Sequence, residues 1–166
     1  RRATRAALPE HHRALRHTDR TAGAMAPLDL RLYRQTVEGL RWLHELREEA
    51  QVAVLPQAPD PAAAATLIEA YPSLSLIDLG IRCRRVPSRP GEVRARPAAL
   101  RPWLTFENAS TEAVAVTLED AWDATLACLT AWLARADLQQ PQRLAGDSPD
   151  ALEAEGWIYR APAALG

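Results

Sequence analysis

One segment, residues 117–136, constrains the fold of this chain more than any other. Its large apolar residues recur every three or four positions, the spacing of one helix face, at Trp122, Leu126, Leu129 and Leu133. Thr117 precedes Asp120 by three positions, which is the pattern of a capping box with Asp in the place of Glu. We therefore predict a helix that begins at residue 117, and we expect the rest of the chain to pack around it.

This helix carries acidic residues close to its start. Asp120 and Asp123 are three positions apart, so their carboxylates lie on one side of the first two turns. The positive end of a helix favours acids, and capping alone would explain Glu119 and Asp120. Asp123 lies inside the helix, where Asp is a poor helix former, and within an apolar run. Its carboxylate needs a partner there, and a cation is a natural one.

Composition restricts the class of protein. The chain has 166 residues, the length of one ordinary domain, so residues 1–166 are predicted to form a single domain. Arginine supplies all of its 20 basic side chains, against 21 acidic ones, and this balance does not by itself indicate a nucleic-acid-binding protein. Cys83 and Cys128 cannot form a disulfide framework. With no apolar run of membrane-spanning length and no signal-peptide pattern, we expect a cytoplasmic protein.

Periodicity and turn residues predict the other elements in chain order. Residues 1–23 are expected to be a loop containing at most a short helix, and a tail is expected from about residue 137. The predicted helices cover residues 9–17, 30–49, 73–79 and 92–104. The predicted strands cover residues 52–55, 66–71 and the segment around Trp157.

Glu69 lies in the second of these strands, with apolar residues on either side. If the strand is central in a sheet, a lone carboxylate is placed among apolar neighbours and requires a partner. If the strand is at an edge, Glu69 faces water and needs no further explanation. The residues alone leave both alternatives open.

Residues 82–101 contain seven arginines and one acid, Glu92, together with several prolines. We predict a mobile basic loop that leads into a helix. Arginine binds phosphate through forked hydrogen bonds, so this segment is a candidate nucleic-acid interface. The alternative is a solvated loop, because the absence of lysine shows a compositional bias toward arginine. The candidate phosphate-binding residues are Arg84, Arg85, Arg89 and Arg94.

Four stretches carry a resemblance to a known family: YRQTVEGL, LIEAYPSLSLIDLG, LEDAWDATLACLTA and EGWIY. They resemble the bacterial and archaeal family called domain of unknown function 429, whose members are described as predicted RNase H-like nucleases. The resemblance implies an α/β fold of the RNase H-like type, a mixed sheet flanked by helices. Such folds open with a three-stranded hairpin that precedes the first helix. This chain has no such hairpin before Asp29, so truncation at the N-terminus is expected.

The resemblance also implies a metal site. Glu69, Asp120 and Asp123 match its acidic positions and would bind Mg²⁺ or Mn²⁺ for two-metal hydrolysis of phosphodiester bonds. The acid of the opening strand is missing, so we expect the chain alone not to be a competent nuclease. The alternative is a non-catalytic RNase H-like domain that serves binding or assembly.

Two further expectations concern the surface. Tryptophan is more often a core residue than a base-stacking platform, so a core position is expected for Trp103, Trp122, Trp132 and Trp157. Without an opening hairpin, the apolar faces of helix 30–49 and of the central helix are expected to be partly uncovered, which invites association.

Overall fold

The computed structural model of the chain describes residues 15–25, 33–56, 59–82, 90–136, 138 and 156–161. Over these residues the protein is a helix-rich α/β structure with small sheets. Its helices are α1 (His17–Ala22), α2 (Tyr33–Ala50), α3 (Pro72–Asp78), α4 (Pro90–Leu100), α5 (Ala109–Thr117) and α6 (Glu119–Ala134). Its strands are β1 (Val52–Val54), β2 (Ala65–Leu67), β3 (Glu69–Ala70) and β4 (Ile158–Tyr159).

The strands form two sheets of two strands each. Strands β1 and β2 are parallel, with Ala53 opposite Thr66, and the N–H of Leu55 extends the pairing by donating to the carbonyl of Leu67 at 3.0 Å. Strands β3 and β4 form the other sheet. The prediction of one strand over residues 66–71 is therefore wrong in detail. Ile68 is not part of a strand, and it separates β2 from β3, which begins at Glu69.

The contacts divide the chain into two compact units, each built from two stretches of sequence. The first unit comprises residues 1–69 and 143–158, and the second comprises residues 70–142 and 159–166. Compact units of this kind occur within single domains as well as between domains, so the single-domain expectation for residues 1–166 stays a prediction.

The core of the second unit is built around α6. Trp122 and Leu126 of this helix are completely buried, and Leu100 at the end of α4 is buried with them. The periodicity of residues 117–136 thus predicted the buried face of α6 correctly. The expectation that the central helix would be partly uncovered is wrong for this face. The buried members of the cluster are Leu76, Leu79, Ile81, Leu100, Val116, Trp122, Leu126, Leu129 and Ala161.

The start of α6 differs from the prediction. Thr117 is the last residue of α5, and its hydroxyl donates to the carbonyl of Ala113 at 2.6 Å instead of capping α6. Leu118 is the N-cap residue of α6 and supplies no side-chain hydrogen bond. The capping-box prediction is wrong because a second helix directly precedes α6. That helix, α5, was not predicted, although Asn108 caps it by accepting from the N–H of Thr111 at 2.9 Å.

The other helix predictions fall into three groups. Helix α3 ends at Asp78, one residue before the predicted end at residue 79, and Gly80 follows with a φ of 65°, the left-handed conformation common after a helix. Helix α4 begins and ends a few residues earlier than predicted. Helix α1 begins at His17, where the short helix predicted over residues 9–17 ends, and continues into a part of the segment predicted to be a loop. The parts of the predictions that cover residues 9–14, 30–32, 83–89, 137 and 139–155 lie outside the described residues.

Helix α2 confirms the expectation of an uncovered apolar surface. Val37, Leu40, Trp42 and Leu46 are between 37% and 62% exposed. Along residues 34–50, only Thr36 and Leu43 are half-buried, and the other side chains are exposed. Among the described helices, none combines the length and the apolarity that a bilayer crossing requires.

Candidate functional site

Glu69 is the first residue of β3, and its side chain is 45% exposed. Of the two alternatives for this residue, the exposed position is therefore confirmed. Its carboxylate is bound by the guanidinium of Arg16 in a forked arrangement. Nη1 of Arg16 donates to Oε2 at 2.6 Å, and Nη2 donates to Oε1 at 2.6 Å. This bidentate geometry is the strong form of an arginine–carboxylate pair.

The same guanidinium binds a second acid, Asp19, which is completely buried. Nε of Arg16 lies 3.2 and 3.1 Å from the two carboxylate oxygens of Asp19, and Nη2 donates to Oδ1 at 2.7 Å. We call these three side chains, Arg16, Asp19 and Glu69, the Arg16 clamp. One permanent positive charge thus serves two carboxylates.

Local sequence explains how α1 places Asp19. Arg16 is the N-cap residue of α1, and Asp19 is the third helical residue. The N–H of Arg16 donates to Oδ2 of Asp19 at 2.9 Å, which is the acidic half of a capping box. Thr18 is buried beside Asp19, and its Oγ1 accepts a hydrogen bond from the N–H of Ile158 at 3.0 Å. The helix is therefore held at both Asp19 and Thr18.

Electrostatics in the clamp favour the charged guanidinium. Burial by itself lowers the pKa of Arg16, but hydrogen bonds and charge from Glu69 and Asp19 outweigh it, so the pKa lies above its ordinary value. Arg16 therefore remains a cation under all ordinary conditions. Sequence reasoning missed both Arg16 and Asp19. The spacing of an acid three residues into a helix was a usable signal for the start of α1, but not for the burial of Asp19.

Asp120 and Asp123 lie in the first two turns of α6, as predicted from their spacing. Asp120 is exposed, whereas Asp123 is half-buried and its Oδ1 atom is shielded from solvent. Both belong to the second unit, and Glu69 belongs to the first. That Glu69 meets these aspartates stays a prediction. Within the part of the chain that the structure describes, no group of three or more His, Cys, Asp or Glu side chains is arranged to hold a metal. The two aspartates supply carboxylates of the kind that Mg²⁺ prefers, one short of the predicted set.

The basic segment 82–101 contains arginines of two different kinds. Arg94 is exposed on α4. Arg96, two residues later, is only 1% exposed. Its Nη1 donates to the carbonyl of Val116 at 2.7 Å, and its guanidinium carbon lies 4.5 Å from the ring centroid of Trp122. Arg96 is thus a core residue that stacks on an aromatic ring. Arg84, Arg85 and Arg89 lie outside the described residues.

Polar contacts fix α3 and residues 159–160 within the second unit. The hydroxyls of Ser75 on α3 and Thr130 on α6 lie 2.6 Å apart, and both side chains are buried. The Arg160 guanidinium binds the carboxylate of Asp78, and this hydrogen bond raises the pKa of Arg160. The hydroxyl of Tyr159 donates to the carbonyl of Leu138 at 2.9 Å, and burial raises the pKa of Tyr159.

The predicted tryptophan core is confirmed in part. Trp122 and Trp157 are at most 2% exposed, and Trp103 is half-buried against the cluster. Trp132 is 60% exposed, so the prediction is wrong for this residue. Its ring lies on a side of α6 that the core does not cover, and the guanidinium carbon of Arg135 lies 3.7 Å from the ring centroid.

Comparison with known proteins identifies a family for this chain. No curated protein and no solved structure matches the chain. A family model matches residues 3–148, which is most of the sequence. The chain therefore belongs to the family described as protein of unknown function, DUF429.

Proposed function

We propose that this chain belongs to a metal-dependent nuclease of the RNase H-like type, an enzyme that hydrolyses phosphodiester bonds with Mg²⁺ or Mn²⁺. Membership of the DUF429 family supports the proposal through the resemblance to members described as predicted RNase H-like nucleases. The observation that carries it is the pair Asp120 and Asp123 on α6. Asp123 is half-buried inside a helix, where Asp is a poor helix former, and carboxylates are the ligands that Mg²⁺ prefers.

In the proposed mechanism, the protein supplies ligands and holds the substrate. Glu69, Asp120 and Asp123 are the proposed metal ligands, and bound Mg²⁺ or Mn²⁺ would activate water and stabilise the leaving oxygen. Arg94 is exposed and can bind a substrate phosphate, a role that charge also suggests for Arg84, Arg85 and Arg89. For Glu69 to act as a ligand, its carboxylate must exchange the Arg16 guanidinium for the metal ion.

A second candidate function is a non-catalytic domain that serves binding or assembly. Two observations favour it. Arg16 already neutralises Glu69, and α2 exposes Leu40 and Trp42 at 62% and 61%. Exposed apolar surface of this kind is typical of a protein interface. In either case we propose that the chain acts in the cytoplasm, which the free thiol of Cys128 supports.

Metal-linked stability distinguishes the two candidates. We would measure thermal unfolding of the chain with and without Mg²⁺ or Mn²⁺, together with Asp123→Asn. A metal that binds only the folded chain adds about 2.7 kcal/mol to its stability when the free metal is 100 times its dissociation constant. Under the nuclease proposal, the wild-type midpoint rises and the rise is lost in Asp123→Asn.

The matched control is Glu107→Gln, which removes an exposed acid of the same unit. This variant is expected to keep the full metal response. A wild-type midpoint that metal leaves unchanged, or an equal rise in Asp123→Asn, would favour the non-catalytic function.

A further inference from the structure

Trp132 is a large aromatic side chain of the second unit that lies outside the core and is exposed to solvent. It is 60% exposed near the end of α6, whereas Trp122 on the same helix is completely buried. An exposed indole contributes nothing to the core, and large aromatic rings are enriched where a protein binds a partner. Trp132 is therefore in a position to contact a ligand.

The ring of Trp132 is held in place by a cation. The guanidinium carbon of Arg135 lies 3.7 Å from the ring centroid, which is stacking distance. The same guanidinium donates through Nη1 to the carbonyl of Trp132, one of the carbonyls that the end of α6 leaves without a helical partner. Arg135 thus orients the indole from one face, and Trp132 as a whole stays 60% exposed.

This pair of side chains has the chemistry of a stacking site for a nucleobase. Proteins bind single-stranded nucleic acid by stacking bases on aromatic rings beside positive charge that attracts the backbone phosphates. Trp132 supplies the ring. Arg135 is itself exposed, and it supplies a planar cation suited to phosphate. In a duplex, the faces of the bases are covered by the neighbouring base pairs. A site of this chemistry would therefore select unpaired nucleotides.

We propose that Trp132 and Arg135 form a binding site for one unpaired base of a single-stranded nucleic acid and its phosphate. The proposal deepens the nuclease function and rests on it, because it names the class of substrate: single strands, or structures that contain unpaired bases. The site lies toward the opposite end of α6 from Asp120 and Asp123, so it binds the substrate and does not take part in the hydrolysis.

The test compares two tryptophans of equal exposure. Trp132→Ala and Trp42→Ala remove rings that are 60% and 61% exposed, and Trp42 lies in the other unit. The probe is a fluorescein-labelled twelve-residue thymidine oligonucleotide, measured by fluorescence polarisation without metal. Replacing an aromatic ring that stacks on one base by alanine typically weakens binding about tenfold, so Trp132→Ala should raise Kd by about that factor. Trp42→Ala should leave Kd unchanged. Equal Kd values for Trp132→Ala and wild type overturn the proposal.

Three further measurements separate stacking from its alternatives. An abasic oligonucleotide of the same length keeps the phosphates but offers no base, so Trp132→Ala and wild type should bind it equally. Arg135→Gln should weaken binding of both probes, because it removes the phosphate contact. The duplex form of the oligonucleotide should bind more weakly than the single strand. A Trp132→Ala effect of equal size on the abasic probe would show that the ring does not act by stacking on a base, and the stacking proposal would be rejected.

The outcomes also separate this proposal from the nuclease function. A Trp132-dependent Kd together with no Asp123-dependent response to metal would retain the stacking site and reject the metal centre. The reverse pattern would retain the metal centre and reject the stacking site.

Discussion

Replacing Arg16 with methionine tests how much the Arg16 clamp contributes to stability. Methionine keeps an apolar stem of similar length and removes the guanidinium. Asp19 is completely buried, and it would lose every hydrogen bond that it receives from the Arg16 side chain. Its carboxylate would keep the N–H of residue 16, which lies 2.9 Å from Oδ2 in the wild type.

The magnitude follows from the burial of the two acids. Removing one partner of a buried ion pair costs about 3–5 kcal/mol, because the remaining charge stays buried without compensation. Two features place this variant at the lower end, about 3 kcal/mol. The Arg16 side chain is 21% exposed, and Asp19 keeps its backbone donor. The Glu69 side chain is 45% exposed, so its pair with Arg16 adds less than about 1 kcal/mol.

The assay is urea unfolding followed by far-ultraviolet circular dichroism. Arg41→Met on α2 is the matched control, since Arg41 forms an ion pair with Glu38 at 3.0 Å but is 63% exposed. We expect this control to cost about 0.5 kcal/mol or less. Combining Arg16→Met with Asp19→Asn should recover a large part of the loss, because no buried charge then remains. If Arg16→Met costs no more than Arg41→Met, the reasoning about the buried carboxylate is refuted.

Three further variants test other contacts of the second unit. Because the pKa of Tyr159 is raised in the fold, its contribution to stability is complete below the unfolded pKa of about 10 and is lost as pH rises through the folded pKa. Tyr159→Phe should therefore flatten the fall in melting temperature above pH 10, and an unchanged profile would contradict this. Ser75→Ala should cost about 1 kcal/mol in urea unfolding, and the same change made together with Thr130→Val should cost less than the sum of the two single variants. Arg96→Lys should cost about 2 kcal/mol, since lysine cannot both stack on a ring and reach the carbonyl of Val116, and a stability equal to wild type would refute this role.

Local signals in the sequence predicted the long elements well. The spacing of Trp122, Leu126 and Leu129 gave both the existence of α6 and its buried face. The start of α6 was misplaced because Thr117 belongs to a preceding helix, and a threonine near a helix boundary can serve either helix. The capping signal of that preceding helix, Asn108, was present in the sequence and was overlooked.

Local sequence signals could not predict the Arg16 clamp. Glu69 is 53 residues from Arg16, so their pairing depends on how α1 and β3 come together in space. Burial of Asp19 depends in the same way on tertiary packing. The residues around Glu69 left a central and an edge strand both open, and β3 has only two residues and leaves the Glu69 side chain 45% exposed. Periodicity over so few residues cannot decide which face is covered.

Residues 156–161 contribute to both units, and this affects the order in which the units can fold during synthesis. In the first unit, the N–H of Ile158 donates a hydrogen bond to Oγ1 of Thr18. In the second unit, Arg160 forms an ion pair with Asp78. Chains emerge from the ribosome with the N-terminus first, and units made of continuous sequence can fold while synthesis proceeds. Both units of this protein draw on the same late segment, so a chain that stops before residue 156 lacks the Ile158 contact of the first unit and the Arg160 ion pair of the second.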